Sequence, residues 1–136
     1  MIYLEAFRYK ELAESLDAEI ERALKTDGLI DMTTMGKKTG KPHTVEIAFH
    51  NFDGVLYISG LPGKRDWYAN LVANPRFTFH LKQSTQASLP ARAIPITDEA
   101  ERRRVLAKVV QKWNAQDRLE AFVRSSPLVE VQLGSA

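Results

Sequence analysis

Residues 44–59 read Thr-Val-Glu-Ile-Ala-Phe-His-Asn-Phe-Asp-Gly-Val-Leu-Tyr-Ile-Ser, and this stretch decides the fold. Inward and outward side chains alternate with a period of two over residues 44–50 and again over residues 55–59, which is typical of strands. Between them, Asn51-Phe-Asp-Gly54 carries the residue types that tight turns favour. The stretch therefore predicts an antiparallel hairpin.

Further strands are predicted on both sides of this hairpin. A period of two begins at Leu29 and recurs at residues 76–82, at about 86–96 and at 128–133. Pro90 and Pro95 indicate an edge strand or a bulge in the third of these segments. About six short alternating strands cannot form a buried parallel sheet, and antiparallel strands in this number close into a barrel or a curved sheet.

Helices are predicted before, between and after these strands. An amphipathic helix covers about residues 5–25, where apolar residues fall at helical spacing. A short helix covers residues 66–74 and is stopped by Pro75. Asp98 opens the last helix, with Glu101 at the spacing of a capping box. We expect these helices to pack outside the barrel, which gives an α+β fold.

Length and composition exclude several classes of protein. The 136 residues fit a single domain over residues 1–136. The chain has no cysteine, so disulfides and thiolate chemistry are excluded. Its net charge of +2, from 19 basic and 17 acidic side chains, is too balanced for nucleic acid as the main partner. We expect no integral membrane segment and no secretion signal, and therefore a cytoplasmic location.

A basic loop that contains glycine lies just before the hairpin. It reads Thr33-Thr-Met-Gly-Lys-Lys-Thr-Gly-Lys-Pro42. Small residues let backbone N–H groups approach an anion closely, and the lysines supply positive charge beside them. A second basic turn with Lys64 and Arg65 leads into the predicted helix at Asp66, and we expect the two turns to face one another. This arrangement indicates a phosphorylated ligand, although lysines in such a loop are also often solvated charges.

Other kinds of chemistry leave no signature in the sequence. There is no nucleophile elbow, no phosphate-binding P-loop and no paired-histidine metal motif. The histidines at positions 43, 50 and 80 lie in separate segments without the spacing of metal ligands, so no metal site is predicted. No catalytic residue is assigned. His43 closes the first basic loop, where it could add a donor to a phosphate.

These motifs resemble the deazaflavin (F-420)-dependent nitroreductase and quinone reductase family. The resemblance is carried by the Thr33–Pro42 loop, the Gly54 hairpin, Asp66-Trp-Tyr-Ala-Asn-Leu71 and Ala73-Asn-Pro75, and it spans roughly Leu29 to Leu133. It implies a split β-barrel of the FMN-binding type, commonly dimeric, with the deazaflavin coenzyme F-420 in a groove beside the barrel. It also implies hydride transfer from reduced F-420 to a quinone, a nitro compound or a similar unsaturated acceptor.

The resemblance further implies which residues bind the cofactor. The first loop would hold its phosphate or acidic tail, the second loop would add positive charge, and the end of the hairpin strand would lie near the ring. With His43 and Trp67, the candidates are Gly36, Lys37, Lys38, Thr39, Gly40, Ser59, Gly60, Lys64 and Arg65. Trp67 shares a helical face with Leu71, which favours a place in the core. A proton for the acceptor would come from solvent, Tyr57 or Tyr68.

Two alternatives to this function and one expectation about assembly remain. FMN presents a similar ring and phosphate, so an FMN-dependent oxidoreductase on the same barrel is one alternative. A non-catalytic protein that binds a flavin, a haem or a lipid is the other. If one face of the strand from Phe77 to Leu81 is left open, a second copy is its simplest cover. We therefore expect a homodimer.

Overall fold

The computed structural model describes residues 17–134, which form an antiparallel barrel with helices around it. The strands are β1 (Leu29–Met35), β2 (Pro42–Phe52), β3 (Val55–Ser59), β4 (Arg76–Leu81), β5 (Ala87–Pro95) and β6 (Leu128–Leu133). The helices are α1 (residues 17–26), α2 (Asp66–Ala73), α3 (Glu99–Lys112) and α4 (Leu119–Ser125), with a short 3-10 helix at Gln116–Arg118. The predicted first helix is confirmed where it is described, and residues 5–16 lie outside the described residues.

The described strands close into one barrel in the order β1-β2-β3-β6-β5-β4, with every neighbouring pair antiparallel. In the β2–β3 hairpin, Phe49 pairs with Ile58. The turn is fixed by Asn51, whose Oδ1 accepts a hydrogen bond from the Gly54 N–H at 2.9 Å. Gly54 has a φ of +88°, which glycine adopts without strain. The predicted hairpin and the predicted α+β barrel are both confirmed.

Strand β5 is paired with a neighbouring strand on each side, so the prediction of an edge or a bulge is wrong. It pairs with β4 over residues 87–92 and with β6 over residues 91–95. The Pro90 carbonyl accepts a hydrogen bond from the Gly134 N–H at 2.8 Å, on the β6 side. The backbone polar groups of Pro90 thus face the β6 side, just beyond the end of that ladder. Its missing N–H therefore removes no hydrogen bond to β4.

The face of β4 that was expected to be open fills the barrel interior instead. Phe77, Phe79 and Leu81 are only 6%, 0% and 2% exposed. Phe79 packs edge to face on Phe49 of β2, with ring centroids 5.2 Å apart. Because burying one such side chain contributes about 1.5–3 kcal/mol, this face has to be covered, and closure of the barrel covers it.

A second apolar cluster lies between the outside of the barrel and the helices α3 and α4. Helix α3 begins at Asp98, whose Oδ2 accepts from the Glu101 N–H at 3.0 Å as the capping box predicts. The cluster is formed by Tyr57, Ile96, Val105, Leu106, Val109, Val110, Phe122, Val123 and Leu128. Helix α4 was not predicted. None of the described helices combines the length and the hydrophobicity needed to cross a membrane.

Candidate functional site

The loop between β1 and β2 is a tight turn held by its own backbone. The Gly36 N–H donates to the Lys41 carbonyl at 2.8 Å, and the Gly40 N–H donates to the Gly36 carbonyl at 2.9 Å. Gly40 has a φ of +67°, a conformation that other residues adopt with strain. The loop therefore has one defined shape, set by its glycines.

Gly36 is required by two side chains that fold over it. A Cβ atom at this position would lie 2.5 Å from Thr39 Oγ1 and 2.8 Å from His43 Nε2. Those two atoms are themselves 3.4 Å apart, within hydrogen-bond reach. A side chain at position 36 would push both groups away, so glycine here brings Thr39 and His43 together over the loop.

Asn70 of helix α2 fastens the loop to the rest of the molecule. Its Oδ1 accepts from the Lys37 N–H at 2.9 Å, and its Nδ2 donates to Thr34 Oγ1 at 3.2 Å. The side chain is buried, so loss of either bond would leave a polar group unpaired in the interior. From the sequence, an asparagine in this motif is more often a helix-cap or turn residue than a ligand. Its partners are 33 and 36 residues away, and no local pattern reveals them.

A cleft of about 490 Å³ opens between this loop, the start of β2 and helix α2, and we name it the loop cleft. Its lining residues are Thr34, Gly36, Lys37, Lys38, Thr39, His43, Thr44, Val45, Asp66, Trp67, Ala69 and Asn70. Six of these were predicted as cofactor ligands, and one of the six, Trp67, is largely buried. Thr34, Thr44, Val45, Asp66, Ala69 and Asn70 were not predicted as ligands.

The loop cleft is suited to an anion at its loop end. Within residues 17–134, Lys37 and Lys38 form no ion pair with a carboxylate. In the same part of the chain, the N–H groups of Lys38 and Thr39 donate to no protein acceptor. The single carboxylate among the lining residues is that of Asp66. Two free cations beside two free N–H groups can hold one phosphate or a pair of carboxylates.

The second basic turn lines a different cleft. Lys64 and Arg65 border a cavity of about 310 Å³ together with Tyr68, Arg102 and Arg124, which we name the basic cleft. No residue lines both clefts, because helix α2 separates them. The two basic turns thus do not face one another, and contact of Lys64 or Arg65 with a cofactor stays a prediction.

Ser59 and Gly60 lie outside the lining of both clefts. The Gly60 N–H donates to the Pro127 carbonyl at 3.1 Å, and a Cβ atom on Gly60 would approach the Pro127 ring to 3.0 Å. Gly60 is thus needed for close packing of two chain segments. Ser59 is 1% exposed and turns its hydroxyl toward His50. The structure does not bring these two residues together with the first loop.

One protein family matches nearly the whole chain. The family model described as F-420H(2)-dependent quinone reductase matches residues 7–131. The chain belongs to this family. No curated protein matches the chain.

Solved structures similar to this F-420H(2)-dependent quinone reductase family member share its fold. A putative pyridoxamine 5'-phosphate oxidase from Listeria innocua is 16% identical with a TM-score of 0.66, covering 88% of this chain and 94% of that chain. An F-420-H2 dependent reductase, FDR-A, is 20% identical with a TM-score of 0.53, covering 78% and 95%. A third structure, described as a domain-swapped dimer, is 19% identical with a TM-score of 0.60, covering 88% and 98%. At these identities the likeness establishes the split-barrel fold.

In this family member, a buried histidine lies outside both clefts. His50 Nδ1 is 3.3 Å from Lys112 Nζ, and His50 Nε2 is 3.0 Å from Ser59 Oγ. Because an ammonium group can only donate, Nδ1 accepts and the Nε2–H donates to Ser59. Burial, and then the charge of Lys112, lower the pKa of His50 to about 4. His50 is thus a neutral structural group at pH 7. Among the described residues, no cluster of histidine, aspartate and glutamate could hold a metal ion.

Proposed function

We propose that this chain transfers a hydride from reduced coenzyme F-420 to a small unsaturated acceptor such as a quinone or a nitro compound, with the cofactor in the loop cleft. The observation that carries the proposal is the loop itself. Within residues 17–134, it presents two lysines without an ion pair and two N–H groups without an acceptor, at the edge of a cleft that is large enough for a ring system. Membership of the F-420H(2)-dependent quinone reductase family supports the choice of cofactor.

The residues that line the loop cleft fit such a cofactor chemically. Lys37 and Lys38, with the N–H groups of the turn, would hold its phosphate or acidic tail. Trp67 and Val45 supply apolar surface of the kind that a flat ring packs against. When bound, the reduced ring supplies the hydride, so the protein contributes binding, orientation and exclusion of water.

The proton that the reduced acceptor needs is assigned to solvent. Tyr57 is buried in the second apolar cluster, and Tyr68 lines the basic cleft. Neither tyrosine lines the loop cleft, so neither is placed to donate there. The loop cleft is open at its loop end, where Lys37, Lys38 and Thr39 are exposed to water. A water molecule can therefore reach an acceptor bound beside the ring.

The proposal is tested by anaerobic reaction of the purified protein with reduced F-420 and a simple quinone, followed by the absorbance of the oxidised cofactor. We expect saturable oxidation of F-420 that requires both protein and quinone, and tighter equilibrium binding of F-420 than of FMN. The matched control replaces reduced F-420 by reduced FMN at equal concentration. Micromolar binding of FMN without measurable binding of F-420 would overturn the proposed cofactor and favour the FMN-dependent alternative.

We also propose that the protein functions as a homodimer that covers the exposed half of β2. Residues 42–48 pair with β1 on one edge, whereas pairing with β3 begins only at Phe49. Along this half strand, Val45 is 37% exposed, as is Met35 at the end of β1. An unpaired strand edge with apolar side chains is a template for association, and the described protomer leaves it uncovered. A similar structure described as a domain-swapped dimer supports this assembly.

For the dimer, light scattering at tens of micromolar protein is the direct measurement. We expect the mass of two chains, and we expect Val45→Lys to shift the protein toward the mass of one chain because a charge there opposes burial. Val72→Lys is the matched control, since it places the same charge on exposed apolar surface of helix α2, away from β2; Val72 is 58% exposed and Val45 is 37% exposed. A monomeric wild type under these conditions would contradict the proposal.

A further inference from the structure

The basic cleft gathers positive charge that the proposed function does not use. It lies between the turn at residues 63–65, helix α3 and the end of helix α4. Its charged lining residues are Lys64, Arg65, Arg102 and Arg124, and its remaining lining residues are uncharged. A cleft lined by four cations and no carboxylate is electrostatically unfavourable unless an anion shares it.

The cations of the basic cleft are not neutralised by ion pairs. Within residues 17–134, none of the four forms a salt bridge with a carboxylate. Arg103, the next residue after Arg102, shows the contrast. Its guanidinium donates to Glu120 at 2.6 Å and reaches Glu99 at 3.5 Å. Glu99 and Glu120 are thus engaged by Arg103, and neither lines the cleft.

Arg102 donates hydrogen bonds to carbonyl groups at the C-terminal end of helix α4, so these carbonyls do not present their negative charge to the cleft. Its Nε donates to the Val123 carbonyl at 3.0 Å, and its Nη2 donates to the Ser126 carbonyl at 2.6 Å. The Gly63 N–H donates to the Ser125 carbonyl at 3.0 Å. Uncapped carbonyls at a helix C-terminus would repel an anion, and here they are covered by donors. The charge of Arg102 therefore remains without a counter-ion of its own.

A buried hydroxyl in the same wall lacks a hydrogen-bond partner. Ser126 is 2% exposed, and its Oγ is the one buried side-chain atom without a partner among the described residues. A buried polar group left unpaired costs about 1–3 kcal/mol, so such atoms are rare in folded proteins. Ser126 lines the basic cleft, but its Oγ is itself closed to solvent, so this hydroxyl belongs to the wall of the cleft and does not contact a ligand.

We propose that the basic cleft binds a phosphate dianion, either free or as part of an organic ester, independently of the loop cleft. Lys64, Arg65 and Arg124 contribute positive charge from the rim, and Arg102 contributes positive charge from the wall. The volume of about 310 Å³ accommodates the phosphate and a small organic group.

The test is a titration of the full chain with inorganic phosphate at constant ionic strength, followed by the amide resonances of Gly63 and Ser126. We expect saturable shifts, and at least about a tenfold loss of affinity when Lys64→Ala and Arg124→Gln are combined. Both side chains are exposed, so the fold should be unaffected. Arg104→Gln is the matched control, because it removes an exposed charge from helix α3 outside the cleft. A parallel titration with glycerol phosphate distinguishes the ester from the free ion by its affinity.

Three results would overturn the proposal: shifts that do not saturate, an equal loss of affinity in Arg104→Gln, or displacement of phosphate from these residues by F-420. The first two results would show that phosphate is attracted only by the general positive charge of the surface. The third would make it part of the cofactor site. Failure of the protein to use F-420 would leave the phosphate titration unchanged, so the two proposals fail separately.

Discussion

Acidification from about pH 7.5 to about pH 3 is expected to remove about 3 kcal/mol from the free energy of unfolding through His50 alone. His50 is fully buried, and its pKa is lowered to about 4 in the folded protein from an ordinary value of 6.5. Burial is the larger cause, and the charge of Lys112 is the second. The buried imidazole has an ammonium group on one side and a hydroxyl on the other, so an added proton has no acceptor.

The direction follows from the protons bound in each state. Above pH 6.5 the imidazole is neutral in both states, and this part of the stability is fully present. Between pH 6.5 and about 4, His50 binds a proton in the unfolded chain but not in the folded chain, so the free energy of unfolding falls as the pH falls. Below about pH 4 both states are protonated, and no further loss arises from this residue.

Urea unfolding at a series of pH values measures this effect. The matched pair is His50→Gln, which removes the titrating group, and Ser59→Ala, which removes only its hydrogen-bond partner. Both variants are expected to be less stable than the wild type at pH 7. Only His50→Gln should lose the slope of stability with pH between about 4 and 6.5, because burial acts on His50 with or without Ser59. A slope of wild-type size in His50→Gln would assign the acid sensitivity to other groups.

The barrel strands could be predicted because their signal is local. In β2, β3 and β4, one face meets the barrel interior and the other does not, so side chains alternate along the strand. The closure of the sheet could not be predicted in the same way. Whether Phe77 and Phe79 face an interior or a partner depends on which strands meet across the barrel, and alternation is the same in both cases.

Six of the twelve residues that line the loop cleft were predicted from the sequence, and six were not. Gly36, Lys37 and Lys38 belong to one continuous loop whose composition already indicates an anion. Ser59 lies outside the loop cleft, and its contact with a cofactor stays a prediction. Its burial could not be read from the sequence, because the outer face of β3 is covered by α3, about 40 residues along the chain. Helix α4 was missed although Leu119, Phe122 and Val123 have helical spacing, because a helix of seven residues gives too short a pattern. The basic cleft depends on that helix, so it was missed as well.

Removal of both cleft lysines is expected to have the largest effect on cofactor binding. Each charge-assisted contact to a phosphate contributes about 1.5–3 kcal/mol, so Lys37→Ala with Lys38→Ala should weaken F-420 binding by at least about 100-fold. Thermal stability should change little, because both side chains are exposed and form no ion pair in the described part of the chain. Turnover at saturating cofactor should survive, since neither lysine carries the chemistry.

The most direct test of the account is the equilibrium dissociation constant of F-420 for this double variant and for Lys41→Ala, measured by fluorescence titration. Lys41 belongs to the same loop and carries the same charge, but it does not line the loop cleft. We expect at least about a 100-fold rise in the dissociation constant for the double variant and less than about a threefold rise for Lys41→Ala. Equal, small changes in both variants would show that these lysines are ordinary surface charges and that the cofactor binds elsewhere.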